Sequence, residues 1–72
     1  MIIYTPFWET MQRRGMTTYA LIKYHNISSS TLTRLRHNQA LSTVTINDLC
    51  RILDCRVEDI ALYVQNSQDE KL

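Results

Sequence analysis

The run "KYHNISSSTLTRL", residues 23 to 35, constrains this chain most, because one helix has to end there and another begin within three residues. Asn26 tolerates the left-handed backbone found at helix ends, and Ser28 is a favoured N-cap for the helix that follows. The hydroxyl-rich stretch after Ser28 could be a flexible linker. Leu32 and Leu35, at helical spacing, instead favour a helix with one buried side. The run therefore predicts two helices joined by a tight turn.

Start and stop signals place these two helices and three others along the chain. The second helix is predicted from Thr18 to about His25, with Thr17 as its cap, and the third from Ser29 to about His37, with Asn38 as its stop. The remaining helices are predicted from Pro6 to about Arg14, from Ile46 to about Leu53 and from Val57 to about Val64. The prediction is one all-α domain of five helices over residues 1–72, with a core region at 5–64 and a polar tail at 65–72.

Several of these boundaries depend on particular residues. Thr5 is a suitable N-cap for the first helix, and Gly15 suits its end because glycine adopts positive φ. Thr45 and Asp48 form a T-x-x-D version of a capping box for the fourth helix. Apolar residues at helical spacing predict the buried stripes, which include Phe7, Trp8, Met11, Leu21, Ile22, Ile46, Leu49, Cys50, Leu53, Val57, Ile60, Ala61 and Val64.

The first four residues, "MIIY", are β-prone and very short. They would either pair as a strand with a second subunit or cover the core of their own chain. The sequence does not distinguish these two possibilities.

The third predicted helix offers an unusual outward face. Thr31, Leu32 and Leu35 share one side, which we expect to be buried, and Ser29 lies at the margin of the other. The outward residues are Ser30, Thr33, Arg34 and His37, without an acid or a bulky aliphatic side chain. Small hydroxyl residues let a helix enter the major groove of DNA, and an arginine can bond guanine O6 and N7 as a fork.

The charge distribution points the same way, although the net charge is only +1. No acidic residue occurs from Thr10 to Asn47, and six of the seven acids lie from Asp48 onward. The acid-free middle contains five bases, Arg13, Arg14, Lys23, Arg34 and Arg36. This asymmetry favours one face directed at a polyanion. Lys23 and Arg36 flank the third helix and could meet phosphates, as could Thr18 at the start of the second helix.

Length and composition argue against several other classes of protein. A chain of 72 residues buries only about 60% of its unfolded surface and has little room for a catalytic cleft, so we expect no enzyme. The "MIIYTPFWE" start has neither the basic flank nor the apolar length of a signal peptide or membrane span, which predicts a cytoplasmic protein. Cys50 and Cys55 lack the partners of a zinc site and are expected to be reduced and partly buried, with no metal or other cofactor.

The segments "TTYALIKYHNISSSTLTRLRHN" and "TVTINDLCRILDCRVEDI" resemble the lambda repressor/Cro-like (XRE-type) helix-turn-helix family, in particular its compact single-domain regulators from phages and Gram-positive bacteria. The resemblance covers about residues 6 to 64. The chain departs from the family pattern at Thr18, where glutamine is frequent, at Asn26 in place of the turn glycine, and at Arg56 in place of a capping serine or aspartate.

The resemblance implies roles for individual residues. Ser29 and Ser30, with Arg34 one turn later, would read bases. The start of the second helix at Thr18 and the end of the third at His37 and Asn38 would hold phosphates, and Thr43, in the loop that follows, would also approach the DNA backbone.

Together these features predict a sequence-specific regulator that binds double-stranded DNA, most simply a repressor. A single module of this size buries about 600–1,000 Å² on DNA, so we expect a homodimer on a palindromic operator, without a small-molecule ligand or a membrane. Candidate dimer surfaces are "MIIY" and the apolar side of the fifth helix, at Leu62 and Tyr63. The alternative is a protein-interaction module on the same fold, an antitoxin or anti-repressor.

Overall fold

The computed structural model describes residues 1–66, which form four α-helices and a two-stranded antiparallel sheet. In chain order the elements are β1 (Ile2–Ile3), α1 (Thr5–Arg13), α2 (Thr18–His25), α3 (Ser29–Arg36), α4 (Thr43–Leu53), a single 3₁₀ turn (Val57–Asp59) and β2 (Leu62–Tyr63). Six of the eight residues predicted as a polar tail, 67–72, lie outside the described part of the chain. No helix within residues 1–66 is both long and apolar enough to cross a bilayer.

The helix-turn-helix pair has the predicted boundaries to within one residue. The Thr17 hydroxyl caps α2 by accepting the Ala20 N–H at 3.1 Å, and the Ser28 hydroxyl caps α3 by accepting the Thr31 N–H at the same distance. Asn26 takes up the left-handed backbone, with φ of 58°. α3 ends at Arg36, one residue before the predicted end.

The first helix begins one residue earlier than predicted. It starts at Thr5, so Tyr4 occupies the N-cap position, and no side chain caps this end. The carbonyl of Tyr4 instead accepts the backbone N–H of Phe7 at 3.0 Å, while Pro6 has no N–H to satisfy. Gly15 follows the helix with φ of 64°, as predicted.

The fourth helix begins a turn earlier than predicted. Its N-cap is Ser42, whose hydroxyl accepts the Thr45 N–H at 3.1 Å, so the predicted capping box of Thr45 and Asp48 is wrong. Asp48 lies in the second turn, and its carboxylate pairs with Arg51 at 3.5 Å. The earlier start places Leu41 before the cap and Ile46 at the fourth helical position, which is the arrangement of a hydrophobic staple.

The predicted fifth helix is also wrong. The chain makes one 3₁₀ turn at Val57–Asp59 and then extends into β2, which pairs antiparallel with β1 in the register Ile2 to Tyr63 and Ile3 to Leu62. The carboxylate of Asp59 caps the start of the 3₁₀ turn by accepting the backbone N–H of Arg56 at 3.0 Å. Tyr63 and the two isoleucines of β1 are residue types that favour strands, and β1 supplies the partner for β2. The "MIIY" segment thus pairs within its own chain.

A small core lies between the helices and the sheet. Its buried apolar residues are Tyr4, Phe7, Met11, Leu21, Ile27, Leu32, Leu35, Leu49, Leu53 and Ile60. Trp8 is only partly buried, with its ring edge-on to Phe7 at 4.8 Å. Ile22 was predicted to be buried but is 45% exposed. Leu21 faces the core, and Ile22, about 100° further round α2, lies on the exposed side of that helix.

Candidate nucleic-acid interface

The turn between α2 and α3 is held by its own backbone. The N–H groups of Asn26 and Ile27 both bond to the carbonyl of Leu21, in the case of Ile27 at 3.1 Å. The side chain of Ile27 is buried in the core and attaches the turn to it. This arrangement sets the position of α3 relative to α2 with little freedom for the connecting residues.

The two sides of α3 are divided as predicted. Thr31, Leu32 and Leu35 are buried, and they attach the helix to the core. The side chains of Ser29, Ser30, Thr33, Arg34 and His37 are all exposed. The helix therefore presents a continuous surface of hydroxyl groups and nitrogen donors, and every bulky apolar residue it contains faces inward.

Hydroxyl groups of α3 and its N-cap Ser28 form hydrogen bonds with one another and with the helix backbone. Ser28 Oγ lies 2.9 Å from Ser30 Oγ and 3.0 Å from Thr31 Oγ1. The Thr33 hydroxyl donates to the carbonyl of Ser29 at 3.1 Å, one turn back along the helix. These bonds restrict the directions in which the hydroxyl protons can point.

Aromatic rings support two of the bases expected near phosphates. Lys23 Nζ lies 5.4 Å from the ring centroids of both Tyr19 and Tyr24, and the Arg36 guanidinium carbon lies 5.7 Å from that of Trp8. Such contacts orient a cation without neutralising it. Sequence reasoning missed these rings, although the i, i+4 spacing of Tyr19 and Lys23 is a usable signal. Within residues 1–66, no carboxylate forms an ion pair with Lys23, Arg34 or Arg36.

Arg13 and Arg14 do not belong to this basic surface, contrary to the prediction from the charge distribution. Arg13 lies 3.7 Å from the carboxylate of Asp59, and Arg14 donates to the carbonyl of Asp54 at 2.8 Å. Both therefore contact the acidic C-terminal segment. The positive face of the domain is smaller than the sequence suggested and is concentrated on α2 and α3.

Two of the predicted phosphate contacts are the first residues of helices. Thr18 begins α2, and Thr43 begins α4 rather than lying in the preceding loop as predicted. The first turns of α2, α3 and α4 contain no acidic residue. No carboxylate of their own first turns therefore offsets the positive ends of these helix dipoles, which favours binding of anions.

The end of α3 is tied to the start of the chain. Asn38 has φ of 54°, and its Oδ1 accepts the backbone N–H of Tyr4 at 3.0 Å. The Tyr4 hydroxyl donates to the carbonyl of Gln39 at 2.8 Å. Since Oδ1 of Asn38 is engaged, only its Nδ2 donors are suited to a phosphate. His37, at the C-cap position of α3, is exposed.

The two cysteines lie at the end of α4, away from this surface. Both are free thiols and partly buried, as predicted. Burial, followed by the neighbouring Cys50, raises the pKa of the Cys55 thiol to about 11. The Cys55 thiol is therefore protonated near neutral pH, whereas nucleophilic attack and metal binding need the thiolate. No group of three side chains suited to hold a metal ion occurs in residues 1–66.

Comparisons with known proteins agree with this geometry. The model of the Cro/C1-type HTH DNA-binding domain family matches residues 7–66. Among solved structures, the chain is similar to the crystal structure of the transcriptional regulator VanUg, form II, with a TM-score of 0.81 and 25% sequence identity over 90% of this chain and 87% of that chain. No curated protein is similar enough in sequence to count as a match.

Proposed function

The chain belongs to the Cro/C1-type helix-turn-helix family of DNA-binding domains, and from that premise we propose that it is a sequence-specific repressor that inserts α3 into the major groove. The observation that supports this most is the exposed face of α3. It combines small hydroxyl residues with Arg34, which forms no ion pair within residues 1–66, so the helix backbone can approach base edges closely while Arg34 reaches further. Occupancy of the site would block transcription, and the protein would act in the cytoplasm.

The proposal assigns two kinds of contact. Ser29, Ser30, Thr33 and Arg34 read base edges. Phosphates are held by Thr18, Lys23, Arg36, His37, Asn38 and Thr43. The second group comes from helix starts, the end of α3 and the two bases supported by rings. Contacts of this kind fix the register of the helix, while the base contacts supply specificity.

Arg34 and Lys23 provide a matched test of these assignments. A site is first selected from a random duplex pool with the wild-type protein. Arg34→Ala should weaken binding to that site by about 10- to 100-fold and relax the preference at one base pair, because a bidentate contact to guanine is lost. Lys23→Ala should weaken binding to all duplexes alike and reduce the salt dependence. Equal, sequence-independent losses in both variants would contradict base reading by Arg34.

The same titrations distinguish the alternative of a protein-interaction module. Several phosphate contacts predict that duplex affinity falls steeply as salt rises. A nanomolar protein partner, together with no measurable duplex binding at low salt, would refute the proposed function and favour an antitoxin or anti-repressor.

We also propose that the protein binds as a homodimer on a palindromic operator, through the β1–β2 sheet. Ile2, Leu62 and Tyr63 on this sheet are 45%, 51% and 62% exposed, and within residues 1–66 each strand pairs with a neighbouring strand along one edge only. An uncharged strand edge is complementary to its own copy under two-fold symmetry, which makes a second copy of this chain the fitting occupant.

The dimer proposal has a control of the same residue type and exposure. Ile22, on α2, is also 45% exposed. Sedimentation velocity should show that Ile2→Glu and Leu62→Glu produce folded monomers, whereas Ile22→Glu remains dimeric. A dimer that persists in both sheet variants, or a wild-type chain that is monomeric on its operator, would overturn this part of the proposal.

A further inference from the structure

The hydroxyl residues of α3 differ in what they can offer a base, although they look alike in the sequence. A hydroxyl group has one proton, and a proton bonded within the helix can be donated to DNA only at the cost of that bond. Tracing each proton along α3 therefore predicts which feature of a base pair each residue can recognise. This inference rests on the proposed function.

Thr33 has already used its proton. Its hydroxyl donates to the carbonyl of Ser29 at 3.1 Å, and the side chain is exposed. Toward a partner it offers its methyl group and the two lone pairs on Oγ1. The Thr33 hydroxyl is therefore unsuited to donate a hydrogen bond to guanine O6 or N7, to thymine O4 or to adenine N7.

Ser30 is in the opposite state. Thr31 is 9% exposed, and its buried hydroxyl contacts Ser28 Oγ at 3.0 Å. A buried donor must be satisfied, so Thr31 donates to Ser28. Ser28 Oγ also accepts the Thr31 N–H, which fills both of its lone pairs. The Ser28 proton then goes to Ser30 Oγ at 2.9 Å, and the proton of Ser30 is left for a partner.

We propose that Thr33 recognises thymine through contact between its methyl group and the C5-methyl of the base, and that Ser30 donates to a base acceptor. The C5-methyl of thymine is the apolar feature of the major groove, and a threonine methyl group is one of the groups that contact it. The bond to Ser29 keeps the Thr33 hydroxyl at the helix backbone and leaves the methyl group available.

The test uses the site selected by the wild-type protein, with each thymine replaced in turn by deoxyuridine, which lacks only the C5-methyl group. Binding is measured by fluorescence anisotropy. We expect one thymine in each half-site at which the replacement weakens wild-type binding by about fourfold, as burial of one methyl group predicts. Wild-type affinity that is indifferent to every replacement would overturn the proposal.

Variants at Thr33 assign the effect to this residue. Thr33→Val keeps a methyl group and loses the hydroxyl, so it should remain sensitive to deoxyuridine at that position and lose less affinity than Thr33→Ser. Thr33→Ser keeps the hydroxyl and loses the methyl, so it should bind about fourfold more weakly and become insensitive at that position. Ser30→Ala should bind more weakly but remain sensitive to deoxyuridine.

The outcomes separate this inference from the proposed function. If Thr33→Val loses more affinity than Thr33→Ser, the hydroxyl group rather than the methyl reads the base, and the inference fails while sequence-specific binding stands. If the wild-type protein selects no site from the random pool, the proposed function fails and the inference fails with it. Circular dichroism of each variant serves as the control that its helical fold is intact.

Discussion

Removal of the Ser28 hydroxyl should destabilise the domain more than removal of the equivalent cap on α4. Both Ser28 and Ser42 accept a backbone N–H at 3.1 Å and contact a threonine hydroxyl three residues later. The environments of those threonines differ, because Thr31 is buried and Thr45 is only partly so. The two serines thus form a closely matched pair, which differs in the burial of the neighbouring threonine and in the further 2.9 Å contact of Ser28 with the exposed Ser30 hydroxyl.

The magnitudes follow from these contacts. Loss of a serine N-cap costs about 1 kcal/mol of unfolding free energy, which is the expected effect of Ser42→Ala. Ser28→Ala also leaves the buried Thr31 hydroxyl without its acceptor, which adds about 1 kcal/mol or more. In a domain of this size, each kcal/mol lowers Tm by about 4–8 °C.

Urea unfolding followed by the fluorescence of Trp8, the single tryptophan of the chain, measures both variants. The double variant Ser28→Ala with Thr31→Val should recover the additional loss, because it removes the unsatisfied donor. The reasoning would be refuted by a Ser28→Ala variant no less stable than Ser42→Ala, or by a double variant less stable than Ser28→Ala alone.

Two further predictions concern groups away from the DNA-binding face. Thr10→Val should lower the unfolding free energy by about 1–3 kcal/mol in urea titrations, because the buried Thr10 hydroxyl donates to the carbonyl of Asp59 at 2.7 Å and accepts from Arg13 at 2.8 Å. The control is Thr33→Val, at an exposed position. Equal stability of the two variants would contradict the account. The pKa of the Cys55 thiol is raised from 9.0 to about 11, so the folded state holds this proton more tightly than the unfolded chain does. The contribution of the protonated Cys55 thiol to the free energy of unfolding is present below pH 9 and is lost as the pH rises through 11. The free energy of unfolding of the wild type, measured against pH and compared with that of Cys55→Ala, should show this loss. Identical pH profiles of the two proteins would contradict the prediction.

The helix-turn-helix was predictable because its boundaries depend on neighbouring residues. Thr17, Asn26 and Ser28 each act through hydrogen bonds or backbone angles within a few positions of themselves. The same holds for the division of α3 into a buried and an exposed face, which follows from the spacing of Leu32 and Leu35. Local physical chemistry was sufficient for these features.

The end of the chain was not predictable in this way. Leu62–Tyr63 become a strand because Ile2–Ile3 pair with them, and no pattern within residues 57–64 identifies that distant partner. The start of α4 was mispredicted for a different reason: Ser42 and Thr45 are both favoured caps, and it is the Ser42 hydroxyl that accepts the Thr45 N–H.

In the candidate site, too, sequence reasoning failed for the contacts that depend on distant residues or on rotamers. The sequence identified the outward residues of α3, but it could not show that Arg13 and Arg14 turn toward Asp59 and Asp54. Nor could it show that the Thr33 proton is bonded to the Ser29 carbonyl, which depends on a rotamer. Residue types and periodicity predict which side chains face a partner, whereas their hydrogen bonds determine what those side chains can recognise.

Methylation interference on the selected site tests the central claim, that α3 reads bases in the major groove, most directly. Dimethyl sulfate methylates guanine N7, which lies in the major groove, and adenine N3, which lies in the minor groove. The account predicts that N7 methylation of at least one guanine per half-site blocks the wild-type protein, and that Arg34→Ala no longer responds at one of these guanines. Interference confined to adenine N3, or an unchanged pattern in Arg34→Ala, would contradict it.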